Sequence, residues 1–307
     1  MAIKLPWVEK YRPETINEYV FVDDAQKRQV QSWIKEGSIP HLLMSGSPGI
    51  GKTTLAKVLL NELHIEDYDV LEVNASRETG IDFIKDTIVP FISMIPFGPF
   101  RVVLLDEADY LTPNAQAILR GVMEEYSNTA RFILTCNYPN RIIPAIHSRC
   151  QGYHFEKIDV NEYTARVATI LVEEGIEFDL DVLDTYVKAA YPDLRKCINS
   201  VQQHVNGSTL DAPTAEADAG DYKIEMVELF KKGKILEARK LICAKSRPEE
   251  IEDIFRWMYD NIDLFGDTEE KKDSAILIIK QGLVDHTLIA DPEINLSATL
   301  VKLARLQ

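Results

Sequence analysis

At 307 residues and 34.9 kDa, the chain is longer than one ordinary core requires, and two or three domains are expected. Its composition, 46% hydrophobic and 27% charged, excludes a disordered chain. A formal net charge of −15 excludes a generic basic coat protein for nucleic acid, although total charge does not say where the charge sits. Residues 1–151 hold 15 Lys and Arg against 19 Asp and Glu, whereas residues 152–307 hold 19 against 30. The deficit therefore lies mostly in the second half. Cys136, Cys150, Cys197 and Cys243 form no CxxC pair, and no His stands at metal-ligand spacing. Neither a disulfide framework nor a zinc site is expected, and a reducing cytoplasm is. The N-terminal Met-Ala-Ile-Lys-Leu-Pro-Trp lacks the apolar run of a signal peptide, and no stretch reaches 18 apolar residues.

The first 150 residues alternate apolar runs with helical patterns. Strands are predicted at His41–Ser45, Val70–Asn74, Val102–Asp106 and Arg131–Cys136, with a short fifth at Tyr153–Phe155. Helices are predicted near 51–63, 81–95 and 113–126, the last opened by Thr112 as N-cap and Pro113 at the first helical position. Apolar strands alternating with helices imply a parallel sheet covered on both faces. From Asp159 the strands stop. Segments 159–174, 179–190 and 192–205 read as amphipathic helices, and Asp159 with Glu162 resembles a capping box. Asn206–Asp221 has few large apolar residues and reads as a linker. Helices follow near 222–231, 234–244, 248–264, 269–285 and 293–306. The division is an α/β domain over 1–155, a helical domain over 156–205, the linker over 206–221 and a second helical domain over 222–307.

Gly46-Ser-Pro-Gly-Ile-Gly51-Lys52-Thr53 matches the P-loop pattern GxxxxGK[ST], with a predicted strand before it and a helix after it. Such a loop turns its backbone N–H groups toward phosphate oxygens, and the helix that starts there adds its positive dipole end. Ser47, Pro48, Gly49, Ile50, Gly51, Lys52, Thr53 and Thr54 are the expected cradle. Lys52 would reach the β- and γ-phosphates of ATP, and the Thr53 hydroxyl would ligand Mg²⁺. Val102-Val-Leu-Leu-Asp106-Glu107 is an apolar strand ending in two carboxylates. Asp106 would hold the Mg²⁺ shell, and Glu107 would orient or deprotonate the attacking water. Asn137 closes the next strand at the same carboxyl edge and is placed to hold that water; alternatively it is a turn residue before Tyr138-Pro139. From spacing alone, Arg149 and Arg195 read better as surface salt-bridge residues.

The chain resembles the clamp-loader ATPases of the AAA+ class. Trp7-Val-Glu-Lys-Tyr-Arg-Pro13 is similar to that family's N-terminal box. The P-loop, Val73-Asn-Ala-Ser76, Gly80-Ile-Asp82, Asp106-Glu107-Ala-Asp109, Thr135-Cys-Asn137, Ser148-Arg-Cys150 and Asp193-Leu-Arg195 also match, across residues 7–197. The small subunits of replication factor C are similar. Ile39-Pro-His41 and Pro192-Asp193 also resemble the T4-type phage branch, the preferred assignment, which would place the protein in a bacterial host cytoplasm. The resemblance implies an AAA+ module with a five-stranded parallel sheet, a helical lid and an all-α collar. It implies that Arg149 is an arginine finger acting on a neighbour's ATP, that Arg195 is the lid sensor and that Asn137 is the sheet sensor. Val8, Tyr11, Arg12 and Pro13 would frame the adenine, with Val22 and Asp23 nearby. DNA contact is expected from Ser76, Arg77, Thr79, Gly80, Ile81 and Lys85, although Arg77-Glu78-Thr79 departs from the family pattern. Phe91, Met94, Ile95 and Phe97 would plug into a ring-shaped sliding clamp; as bare sequence they read equally as helix core and a buried turn. Gln116 would link neighbouring sites, or is an exposed helix amide. The partners implied are other clamp-loader subunits in a hetero-oligomer, pentameric by that resemblance, the clamp and primer–template DNA, with no membrane.

Asp106-Glu-Ala-Asp109 also spells the label of DEAD-box helicases, but those need a second β-rich motor domain and no such pattern follows residue 155. A non-hydrolysing scaffold subunit would have a broken P-loop or lack the catalytic acid, and both are intact. Another AAA+ remodeller of protein or DNA junctions is disfavoured by Tyr11-Arg-Pro13 and Ser148-Arg-Cys150.

Overall fold

The computed structural model describes residues 5–77, 79–212, 222–246, 250–286 and 291–306. They form two compact units, one running to residue 170 and including 192–199, the other made of 171–191 and the residues from 200 onward.

The first unit contains, in order, α1 (Trp7–Lys10), α2 (Asp24–Glu36), β1 (Leu42–Ser45), α3 (Lys52–Glu62), β2 (Val70–Asn74), α4 (Ile81–Phe83), α5 (Val89–Ser93), β3 (Arg101–Asp106), α6 (Pro113–Glu125), β4 (Ala130–Cys136), α7 (Pro144–His147), β5 (Gln151–His154) and most of α8 (Val160–Glu173). The strands form one parallel sheet in the order β2-β3-β4-β1-β5. Strand side chains alternate between faces every second residue. Leu42, Met44, Val102, Leu104 and Ile133 point to a core shared with α2 and α3. Leu43, Val103, Leu105, Phe132 and Leu134 point to the opposite core, shared with α5 and α6. The predicted two-faced parallel sheet is the observed one. Its carboxyl edge is even, because Ser45 pairs with Cys136 and Asn74 with Asp106, and that edge carries the polar ends of β1, β3 and β4.

Three local features differ from the sequence expectation. The sequence reading assigns no element to α2, yet Asp23 accepts a hydrogen bond from Gln26 N at 2.7 Å and Gly37 ends the helix at φ +65°. These are ordinary start and stop signals. The helix predicted over 81–95 is interrupted by a π-helical turn, Ile84–Ile88, between α4 and α5. Pro90 lies just beyond it and has no N–H to give the preceding turn, which relaxes the usual ladder. The first residues of the linker expected over 206–221 are structured. β6 (Val205–Asn206) and β7 (Thr209–Leu210) form a hairpin with Gly207 at φ +64° in its turn. Asn206-Gly207 is a strong hairpin signal. Residues 213–221 lie outside the described residues.

The helices predicted over 156–205 divide between the units. Tyr163 of α8 donates to Asp193 O at 2.9 Å, fixing the start of α10 (Leu194–Gln203) in the first unit. α9 (Leu180–Ala190) belongs to the second unit, where it packs on α11 (Tyr222–Lys231). There Thr185 donates to Glu228 at 2.8 Å and Lys231 pairs with Asp184 at 2.7 Å. Contacts rather than chain order set the grouping. α12 (Ile235–Lys245), α13 (Ile251–Asp260), α14 (Glu269–His286) and α15 (Pro292–Ala304) complete the second unit. Phe230 stacks on Trp257 and meets Phe265 edge-on, and Trp257 Nε1 donates to Lys188 O at 2.7 Å. No helix among the described residues is long and apolar enough to cross a membrane.

Candidate nucleotide site

β1 is buried along its whole length and releases the chain at the sheet's carboxyl edge. The turn that follows needs glycine at two points. Gly49 has φ +72°, and a methyl group there would collide with the Asp193 carboxylate at the start of α10. Gly51 has φ +94° and is the N-cap of α3 with no side-chain cap, so the first N–H groups of that helix are not taken by a capping side chain. Pro48, Gly49, Ile50, Gly51, Lys52, Thr53 and Thr54 line a cleft of about 160 Å³. Ser47 does not line it; its carbonyl accepts from Lys52 Nζ at 2.7 Å.

Lys52 is buried, and its ammonium also donates to Gly46 O at 2.8 Å and to Asn137 Oδ1 at 2.9 Å. Burial lowers its pKa, while the nearby Asp106 and Asp109 oppose that shift and Arg195 adds to it. Asp106 Oδ1 accepts from Thr53 Oγ1 at 2.8 Å and from Thr135 Oγ1 at 2.6 Å. Thr135 in turn accepts from Glu107 N at 3.1 Å. Glu107 sits at φ +57°, one of two non-glycine residues with positive φ among the described residues. Such a conformation costs about 1–3 kcal/mol and persists where the surroundings impose it. Here the Thr135 bond and the close of β3 impose it, and Glu107 lines the cleft. Thr135 carries no role in the sequence reading beyond its place in the Thr-Cys-Asn match. Asp109 carries none beyond the Asp-Glu-Ala-Asp match, yet it is buried and its Oδ2 accepts from Asn137 N at 3.3 Å and Tyr138 N at 3.1 Å. It thereby ties the end of β4 to the loop after β3.

Val8, Tyr11, Arg12 and Pro13 also line the cleft, together with Glu18, Tyr19 and Val20. Val22 and Asp23 do not line it, and the Asp23 carboxylate is committed to capping α2. Tyr19 lines the cleft instead, its hydroxyl donating to Gly51 O at 3.4 Å, and burial raises its pKa. Arg166 of α8 also lines the cleft and donates to Tyr11 O at 2.8 Å, which ties the N-terminal box to that helix. Nothing in spacing marks Arg166, because its partner lies 155 residues away. Arg195, in the first turn of α10, lines the cleft, whereas Arg149 does not. Arg149 is held by Glu124 on α6 and by Ala145 O at 2.7 Å.

Gln116 is not an exposed amide. It is buried, donates to Leu111 O at 3.0 Å and Arg141 O at 3.1 Å, and accepts from Ile143 N at 2.8 Å. It joins α6 to the segment between Asn137 and Arg149. Ser76, Arg77 and Lys85 are exposed, and Thr79, Gly80 and Ile81 are half-buried. Lys85 lies in the π-helical turn. Thr79 O accepts from Thr112 N at 3.0 Å, linking this segment to the start of α6.

The apolar run splits. Phe91 packs against the core under the Arg101 guanidinium, 4.6 Å from its ring. Met94, Ile95 and Phe97 are exposed, Ile95 by 89% and Phe97 by 81%, with Tyr68 edge-on to Phe97 at 5.0 Å. This ridge is pinned from below. Asp69, fully buried, accepts from Phe97 N at 3.2 Å and Gly98 N at 2.7 Å and faces the buried Arg101, which donates to Ile95 O at 3.2 Å. Arg101 Nε stands 3.7 Å from Asp69 Oδ1, an ion pair without a hydrogen bond from that nitrogen.

Residues 42–157 match the family described as "ATPase family associated with various cellular activities (AAA)". The replication factor C small subunit of Methanococcus vannielii is 35% identical over 320 aligned residues, covering 98% of this chain and 99% of that protein. The replication factor C small subunit of Archaeoglobus fulgidus is 41% identical over 245 residues, covering 77% and 76%. Among solved structures, the Thermotoga maritima RuvB Holliday junction branch migration motor has a TM-score of 0.55 at 15% identity over 80% of each chain; that likeness is one of fold. The T4-type phage resemblance rests on the sequence alone. With the P-loop cleft and the β2-β3-β4-β1-β5 sheet, these relatives show that the chain belongs to the replication factor C small-subunit family of AAA ATPases and is an ATPase subunit of the clamp loader of DNA replication.

Proposed function

We propose that this cleft binds ATP with Mg²⁺ and hydrolyses it slowly until a neighbouring subunit completes the site. The observation that carries this reading is the convergence of Lys52, Thr53, Asp106, Thr135 and Asn137 through hydrogen bonds of 2.6–2.9 Å. The P-loop amides and Lys52 bind the phosphates. Thr53 and Asp106 would hold Mg²⁺, and their oxygens suit a hard cation that takes one or two carboxylates and completes its shell from substrate phosphates and water. The metal, when bound, supplies charge stabilisation at the phosphate oxygens. Glu107 orients the attacking water and accepts its proton, with Asn137 positioned beside it. Arg195 touches the γ-phosphate from α10, and Val8, Tyr11, Arg12 and Pro13 frame the base.

Arg149 acts in trans on the next subunit's nucleotide. The partners are other clamp-loader subunits, a ring-shaped sliding clamp and primer–template DNA. The parts are a motor over 1–155, a lid over 156–205 and a collar over 222–307. Ser76, Arg77, Thr79, Gly80, Ile81 and Lys85 track the DNA backbone, where exposed cations and backbone amides grip phosphate without reading sequence. Met94, Ile95 and Phe97 face the clamp, since a contiguous exposed apolar ridge marks an interaction site.

The test is ATPase turnover of the complex with its partner subunits, with and without clamp and primer–template DNA. Stimulation by both is expected. Arg149→Ala should remove it, by a factor of about 10³ or more, with ATP affinity nearly intact. Absent stimulation would point to a different AAA+ remodelling activity, and lost ATP binding with normal saturated turnover would remove Arg149 from the role of finger.

A further inference from the structure

The geometry points to Glu124 as the positioning residue of Arg149, holding the guanidinium on its own subunit until a neighbour's triphosphate competes for it. This inference rests on the reading of Arg149 as a finger in trans. Glu124 lies in the last turn of α6 and takes both Nε and one terminal nitrogen of Arg149 on a single carboxylate oxygen. The remaining terminal nitrogen donates to Ala145 O at 2.7 Å and to Ser148 Oγ at 3.2 Å. All three guanidinium nitrogens are therefore occupied within the chain. Arg149 is not directed at the cleft of its own subunit, which it does not line. A guanidinium recognises carboxylate and phosphate by the same paired donors, so the two acceptors exclude one another.

The strength of the hold decides what it can do. The side chains of Arg149 and Glu124 are 28% and 48% exposed. An ion pair so open to water is worth a factor of about two to five in an equilibrium, against the factor of about 10³–10⁵ that an arginine finger supplies to the reaction. Glu124 therefore does not block the assembled, fully stimulated site. It biases the finger toward its own subunit whenever the neighbouring site is loosely closed, which suppresses turnover before DNA arrives. The contact also places the finger at the C-terminal end of the helix whose N-terminal half carries Gln116, next to the loop that bears Glu107.

The experiment compares the complex carrying wild type, Glu124→Ala, Glu124→Gln, Arg149→Ala and the double variant Glu124→Ala with Arg149→Ala. Turnover is measured without DNA and with clamp plus primer–template DNA, alongside ATP affinity and thermal melting. Glu124→Ala should raise the DNA-free rate about two- to fivefold and leave the stimulated rate, ATP affinity and melting unchanged, so the stimulation ratio falls. Glu124→Gln, which keeps an acceptor but loses the charge, should fall between. The rise should vanish in the double variant. A DNA-free rate that is unchanged or lower in Glu124→Ala, or a rise that survives the loss of Arg149, overturns the inference. Normal stimulated turnover in Arg149→Ala would instead overturn the finger reading on which it rests.

Discussion

The nucleotide cleft and the apolar ridge are built in the same unit by opposite means. In the cleft, polar groups face the ligand space and satisfy one another, Lys52 on Asn137 and Thr53 and Thr135 on Asp106, with the buried Asp109 taking Asn137 N from behind. On the ridge, Ile95 and Phe97 face solvent, and the polar groups lie underneath, where Asp69 and Arg101 pin the loop. The cleft is preorganised for charge that arrives with a substrate. On the proposed reading, the ridge is preorganised for an apolar partner surface, because holding its backbone lowers the entropy lost on docking. Each region thus hides the machinery that the other displays.

Three substitutions test that contrast. The largest effect is expected from Glu107→Gln, which removes a proton acceptor while keeping size and leaving Thr135's bond to the backbone. Turnover should fall about 10²–10⁴-fold at unchanged ATP affinity, measured by single-turnover hydrolysis. A loss of less than tenfold would mean that the carboxylate does no proton transfer. Next is Asp69→Ala, which leaves Arg101 charged and buried and two amides without acceptors. Unfolding in denaturant should show a loss of about 3–5 kcal/mol, whereas Asp69→Asn, which keeps an acceptor, should lose less. A deficit below about 1 kcal/mol would show that the pair does not pin the ridge. The smallest effect belongs to Phe97→Ala. Its ring is mostly exposed, so folding should be nearly unaffected, while clamp affinity measured by titration falls about tenfold, as for an interface anchor. Unchanged clamp affinity would remove the ridge from the interface.

The two regions also differ in what could be read in advance. The P-loop was legible because phosphate binding demands glycine, lysine and a hydroxyl at fixed spacing, and the two acids were legible because they end an apolar strand. Thr135, Tyr19 and Arg166 were not, since each reaches its partner across the fold rather than along the chain. The run from Phe91 to Phe97 was legible as apolar, but not which members are buried. Phe91 is claimed by Arg101 and the core, and Ile95 and Phe97 are turned outward by hydrogen bonds to Asp69 and Arg101.

The sequence by itself determined the parallel sheet and the nucleotide loop, because periodicity and motif spacing are local properties of the chain, and the resemblance of its motifs pointed to the family; α1, α2 and α7 were not read from it. Tertiary structure alone decided that most of α8 and the start of α10 join the first unit while α9 joins the second. It also decided that Asp23 caps a helix instead of lining the cleft, that Gln116 is buried, and that Arg149 rests on Glu124. Each of these depends on which distant group competes for a side chain, and that competition is resolved only when the chain has packed.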